Sequence, residues 1–159
     1  MEGSGKILPS LQEALLKCGV RDGMVLSFHH HFRDGDYVVN LVMETVAALG
    51  IKDITICASS LGAAHDPVAK LIEEGVVTGI QSSGVRGKIG EAISGGRLKN
   101  PAVIRSHGGR VRAIEEGDVH IDIAFIGAST SDEYGNARGV GGKSNCVGLS
   151  YSMVDAKYA

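Results

Sequence analysis

Residues 27–36 read Ser27-Phe28-His29-His30-His31-Phe32-Arg33-Asp34-Gly35-Asp36, gathering three imidazoles and a guanidinium between an apolar run and a helix-like run. Such groups at the end of a buried strand must find partners or a ligand, so this is where chemistry is expected. One reading is a metal site, since His is the commonest metal ligand near neutral pH, with Asp34, Asp36 or His65 available to complete it. Three consecutive side chains point in different directions, however, and zinc patterns space their ligands so that two converge. A second reading is an anion and acyl site. There, backbone N–H groups at a strand-to-helix turn and the imidazoles of His29, His30 and His31 face a carboxylate or a developing oxyanion, and Arg33 grips a carboxylate with both arms. A third is a loop whose imidazoles satisfy buried carbonyls. No metal is assigned.

Ser106-His107-Gly108-Gly109-Arg110 fits a tight turn or a cradle of N–H groups. Gln81-Ser82-Ser83-Gly84-Val85-Arg86-Gly87 resembles a phosphate loop only loosely. It lacks the Lys-Ser/Thr ending of a P-loop, and no GxGxxG occurs in the chain. Ser131-Asp132-Glu133-Tyr134-Gly135-Asn136-Ala137 is a good turn sequence. From Arg86 to Arg112, Arg86, Lys88, Arg97, Lys99, Arg105, Arg110 and Arg112 stand against Glu91 alone. They form either solvated helix faces or an electropositive surface for a phosphate-bearing ligand.

The elements that must position these groups alternate strand and helix patterns. Ser10 with Glu13 has capping-box spacing and predicts a short helix ending near Gly19. Strands are expected over 24–28, 54–58, 76–81, 102–106 and 121–127. Helices are expected over 36–50 (apolar stripe Val39, Leu41, Val42, Val46, Leu49), from Pro67 to Glu74, around Ile89–Ile93 and over 109–117. Near-continuous apolar strands alternating with amphipathic helices predict an open, mainly parallel α/β sheet with helices on both faces. Ligands then sit outside the carboxyl ends of the strands, the edge that carries the polar loops.

A chain of 159 residues with 43% hydrophobic content is sized for one compact domain. It has no apolar run of the roughly 18 residues that cross a bilayer, and residues 1–6 lack a signal peptide's apolar stretch, so a cytoplasmic protein is expected. Net charge −2 suggests neither a nucleic-acid nor a membrane partner. Cys18, Cys57 and Cys146 fit neither a disulfide framework nor a paired CxxC pattern and read as reduced thiols, with Cys57 a small core residue. Ser150 to Ala159 begin another element without a stop signal, so a piece of a longer protein is expected.

In order along the chain stand Asp22-Gly23-Met24, Ser27-Phe28-His29-His30-His31-Phe32-Arg33, Gly35-Asp36-Tyr37-Val38-Val39-Asn40, Ala58-Ser59-Ser60-Leu61 and Gly75-Val76-Val77-Thr78. Ser83-Gly84-Val85-Arg86-Gly87, His107-Gly108-Gly109-Arg110, Asp132-Glu133-Tyr134-Gly135-Asn136 and Met153-Val154-Asp155-Ala156 follow. These stretches resemble the α chain of bacterial citrate lyase, the citrate CoA-transferase (acyl-carrier-protein transferase) subunit; the SFHHHFR and HGGR runs are the most specific.

The resemblance implies the CoA-transferase fold, shared with ribose-5-phosphate isomerase-like proteins. Residues 1–159 would be a single, incomplete N-terminal domain, the second CoA-transferase domain being absent from this chain. It implies a reaction in which acetate on an acetyl thioester is exchanged for citrate, giving the citryl thioester, within a complex that cleaves citrate to acetate and oxaloacetate. Partners implied are citrate, the acyl-carrier (γ) subunit and the citryl lyase (β) subunit. The cofactor implied is the carrier's phosphoribosyl-dephospho-CoA group, with none bound directly to this chain. Lining residues implied are Arg33, Ser59, Ser60, Arg86, His107, Gly108, Gly109, Arg110, Gly135 and Asn136, with Arg33 and the imidazoles on citrate and Arg86 and Arg110 on the phosphates. Glu44 and Asp132 are given structural roles only. An inert assembly module, or a zinc-dependent hydrolase built on the His loop, is the alternative.

Overall fold

The computed structural model describes residues 5–29, 37–142 and 149–159. The short helix α1 (Leu11–Lys17) starts as its sequence requires, with the Ser10 hydroxyl accepting from the Glu13 N–H at 3.1 Å. It ends on Gly19 at φ +70°, where Val20 N–H reaches Leu15 O and Gly19 N–H reaches Leu16 O. That paired closure needs a left-handed residue, which glycine adopts without a Cβ penalty.

The strand β1 (Val25–His29) follows, then α2 (Val38–Ala48), β2 (Ile54–Ala58), a 3-10 turn (Ala63–His65), α3 (Val68–Glu73), β3 (Val77–Ser82), α4 (Gly87–Ser94), β4 (Val103–Ile104), α5 (His107–Glu115) and β5 (Ile123–Ile126). All five strands are parallel neighbours in the order β4-β3-β2-β1-β5, the α/β architecture expected. The fourth strand is only two residues long rather than five. It is the sheet's edge, and Val103 and Ile104 are both exposed, so neither ladder nor burial extends it. In α2, Leu41 faces solvent and Met43 takes its place inside.

Side chains alternate across the sheet. On one face Leu26, Phe28, Ile54, Ile56 and Ile80 pack with Val39, Val42 and Val46 of α2, Leu71 and Ile72 of α3 and Ile89 of α4. On the other, Cys57 packs with Ala113 and Ile114 of α5 and Val154 of α6 (Leu149–Tyr158), flanked by Val25 and Ala124. Phe28 and Phe125, register partners on β1 and β5, stack with centroids 5.0 Å apart.

The chain steps outward from β1 to β4 and then returns over the opposite face to lay β5 against β1. The strand order therefore reverses between β1 and β5, where parallel α/β sheets open a crevice at their carboxyl edge. Beyond that edge, β6 (Thr130–Ser131) and β7 (Ala137–Arg138) form an antiparallel hairpin, whose turn accepts the Lys6 N–H at Glu133 O, 2.9 Å.

Candidate functional site

At the carboxyl edge, the loops after β2 and β3 are zipped together beyond the strands. Ser83 N–H donates to Ser59 O at 3.0 Å, Leu61 N–H to Gly84 O at 3.0 Å and Arg86 N–H to Leu61 O at 2.9 Å, so the loops after β2 and β3 continue the parallel ladder. Within the second, the Ser82 hydroxyl donates to Gly84 O at 2.9 Å and accepts from Gly84 N–H at 3.2 Å.

Over these loops stands the first turn of α5. Ser106 caps it, accepting from Gly109 N–H at 3.1 Å, and Arg110 leaves it inward, through the sheet's second face. The Arg110 side chain is 3% exposed and pairs with Asp155 of α6, itself 1% exposed, at 3.4 Å. Its Nη2 donates to Ser27 Oγ at 2.6 Å, its Nη1 to Ser59 Oγ at 3.2 Å and its Nε to Cys57 Sγ at 3.3 Å. Ser27 in turn donates to Asp155 Oδ2 at 2.6 Å. A guanidinium so deep persists because an opposite charge and several acceptors replace its water. Burial pushes the Cys57 thiol above its ordinary pKa, with Arg110 partly offsetting, so Cys57 meets Arg110 as a neutral acceptor.

The citrate lyase, alpha subunit (CitF) family profile matches residues 4–159. The chain belongs to the citrate lyase alpha-subunit family. It is 50% identical over 154 residues to the citrate lyase alpha chain of Haemophilus influenzae, which covers 97% of this chain and 31% of that one. It is 49% identical over 154 residues to the alpha chain of Klebsiella pneumoniae, covering 97% of this chain and 30% of that one. A crystal structure of a Streptococcus mutans alpha subunit of citrate lyase in complex with citrate shares 55% identity. It superposes with a TM-score of 0.93 over 100% of this chain and 31% of its own. This alpha-subunit chain therefore spans about a third of the length of the relatives it matches.

Among the expected lining residues of this citrate lyase alpha-subunit chain, Ser59, His107, Gly108, Gly109 and Arg110 come together where α5 starts over β2. Ser60 and His107 are exposed, and Arg86 is exposed at the start of α4. Arg110 departs from the expectation of a phosphate-facing cation, because its guanidinium is committed to Asp155 in the interior. His107-Gly108-Gly109 also departs from the expected turn: it is already helical, the Ser106 cap having started α5 two residues before Gly109. His29 ends β1 rather than opening a loop. It is buried, and its carbonyl accepts from Gly127 N–H at 2.9 Å. His30, His31 and Arg33, with Asp34, Asp36 and Cys146, lie outside the described residues.

Gly135 and Asn136 stand apart in the β6–β7 turn. Asp132 Oδ1 accepts from Tyr134 N–H at 3.0 Å and Asn136 N–H at 2.9 Å, and its Oδ2 from Asn136 Nδ2 at 2.7 Å. Those bonds, the Asn136 side chain first, hold the Asp132 carboxyl below its ordinary pKa. This is the structural role expected of Asp132. His65, a candidate metal ligand, is buried with Nδ1 accepting from Gly62 N–H at 3.1 Å. Among the described residues no three His, Cys, Asp or Glu side chains gather as a metal set, and none of the described helices is long and apolar enough to cross a membrane.

Sequence reasoning misses Ser27 and Asp155. The one available signal is polarity inside otherwise apolar patterns: Ser27 within Val25-Leu26-Ser27-Phe28, and Asp155 after Met153-Val154.

Proposed function

We propose that this chain is the first CoA-transferase domain of a cytoplasmic citrate lyase alpha subunit, and that its carboxyl edge binds citrate for exchange with acetate on an acetyl thioester. The observation that carries this reading is the superposition of the entire chain on an alpha subunit crystallised with citrate. Citrate brings three carboxylates, and the N–H groups at the start of α5, the Ser59 and Ser60 hydroxyls and the Arg33 guanidinium are donors suited to them. The exchange passes through negatively charged tetrahedral species, which fixed donors stabilise more than they stabilise the neutral thioester.

The thioester is carried on the acyl-carrier (γ) subunit, and the citryl thioester goes on to the citryl lyase (β) subunit. Exposed Arg86, at the start of α4, suits a phosphate of the carrier's CoA-type arm. Arg110, held by Asp155, does not. The second domain of the full-length subunit closes the site, so residues 1–159 alone are expected to be inactive.

The test is citryl-CoA formation from acetyl-CoA and citrate by the full-length subunit, free CoA standing in for the carrier arm. Citrate-dependent transfer supports the reading, and Arg33→Ala is expected to weaken citrate use. Transfer to a different carboxylate overturns the substrate, and no transfer to any carboxylate favours an assembly role.

A further inference from the structure

We infer that Arg110 is a positioning residue that fixes Ser59 as a hydrogen-bond donor toward the bound carboxylate, an inference that rests on the citrate-site reading above. A serine hydroxyl has one proton and two lone pairs, and both donor and acceptor roles are open to it in water. Arg110 removes that freedom. A guanidinium has donors only, so the contact between Nη1 and Ser59 Oγ at 3.2 Å makes the oxygen an acceptor there and turns the proton away from Arg110. Among the described residues Ser59 Oγ has no other hydrogen-bond partner. Its side chain stands at the end of β2, half-buried, beneath the first turn of α5.

The same logic operates one strand over, where the outcome is visible. Ser27 Oγ accepts from Arg110 at 2.6 Å and passes its proton to the Asp155 carboxylate at 2.6 Å. At Ser27 the anion that receives the proton is part of the protein; at Ser59 it is a carboxylate of the ligand. Asp155 balances the charge of Arg110 from below, so the guanidinium can stay buried without contacting the ligand itself.

The experiment compares Ser59→Ala, Arg110→Lys, the double variant and Ser59→Thr in the full-length subunit, reading KM for citrate and KM for acetyl-CoA separately. Loss of one donor to a charged group is expected to raise the citrate KM about tenfold in each single variant. The double variant should show about the same tenfold rise rather than about a hundredfold, because both remove one oriented proton. Ser59→Thr, which keeps the hydroxyl, should restore the wild-type KM, and the acetyl-CoA KM should not move.

The wild-type protein with ¹⁵N-labelled arginine supplies a readout that does not depend on Arg110→Lys folding. The Arg110 side-chain signals should shift on adding citrate and stay fixed in Ser59→Ala. Citrate KM effects that multiply, or Arg110 signals that ignore citrate in a wild-type protein that uses it, overturn the inference alone. A wild-type protein that neither binds nor uses citrate overturns the site reading and the inference with it.

Discussion

Gly79 on β3 lies directly against Thr55 on β2: a Cβ built on Gly79 would overlap Thr55 Oγ1 and stand 3.2 Å from its Cγ2. The two are register partners just past a slip in the β2–β3 ladder, so the close approach is built into the pairing. Gly79→Ala should destabilise the chain by about 1–3 kcal/mol through overpacking. Thr55→Ala in the same background should recover most of that, as read from urea denaturation midpoints at constant m-value. Equal losses in the single and double variants would show that Thr55 is not the obstacle.

The Asp155 carboxylate is the counter-charge of a buried guanidinium. Asp155→Ala should lower stability by about 3–5 kcal/mol, the range for removing one partner of a buried pair. The exposed pair Lys70–Glu74 at 3.3 Å should contribute at most about 0.5 kcal/mol. Denaturation of Asp155→Ala beside Glu74→Ala checks both, and similar losses in the two variants would contradict the burial argument.

Its hydrogen bonds hold the Asp132 carboxyl below the ordinary aspartate value of 3.8. A depressed native pKa means that the contribution is present above the unfolded value and is lost as pH falls through the native one, here in the window below 3.8. The Asp132 carboxyl carbon should therefore titrate in NMR with a midpoint under 3.8. Asn136→Ala should move that midpoint upward, since the Asn136 side chain is the largest cause; an unmoved midpoint would contradict the assignment.

Cys18 is exposed and Cys57 buried with a raised thiol pKa. Thiolate is the reactive form, so at mildly alkaline pH an alkylating reagent should modify Cys18 in the native chain and Cys57 only after denaturant is added. Peptide mass mapping reads the two sites separately, and native modification of Cys57 would refute its enclosure.

The strands β1, β2 and β3 are legible in the sequence because each is largely buried and carries β-branched or other apolar residues between turn signals, and the Ser10 and Gly19 signals mark α1 because capping is local. The start of α5 is not legible, since His107-Gly108-Gly109 has poor helix propensity and only the Ser106 cap reveals it. The inward turn of Arg110 is beyond local reading altogether. Its partners Asp155, Cys57 and Ser27 lie 45, 53 and 83 residues away, and a cation in an HGGR run looks the same whether it meets a phosphate or a buried carboxylate.

The first strand to be made, β1, ends up inside the sheet between β2 and β5. Val25 N–H is anchored by Asp122 Oδ2 at 2.7 Å, a contact spanning 97 residues, and β5 pairs with β1 over the same span. During synthesis β1 can gain β2 through a short crossover, but its other edge stays open until residue 126 has left the ribosome. An unpaired strand edge held open for most of translation is a template for pairing with another nascent chain. The reversal of strand order between β1 and β5 thus also makes completion of the sheet one of the last and least local events in the folding of this domain.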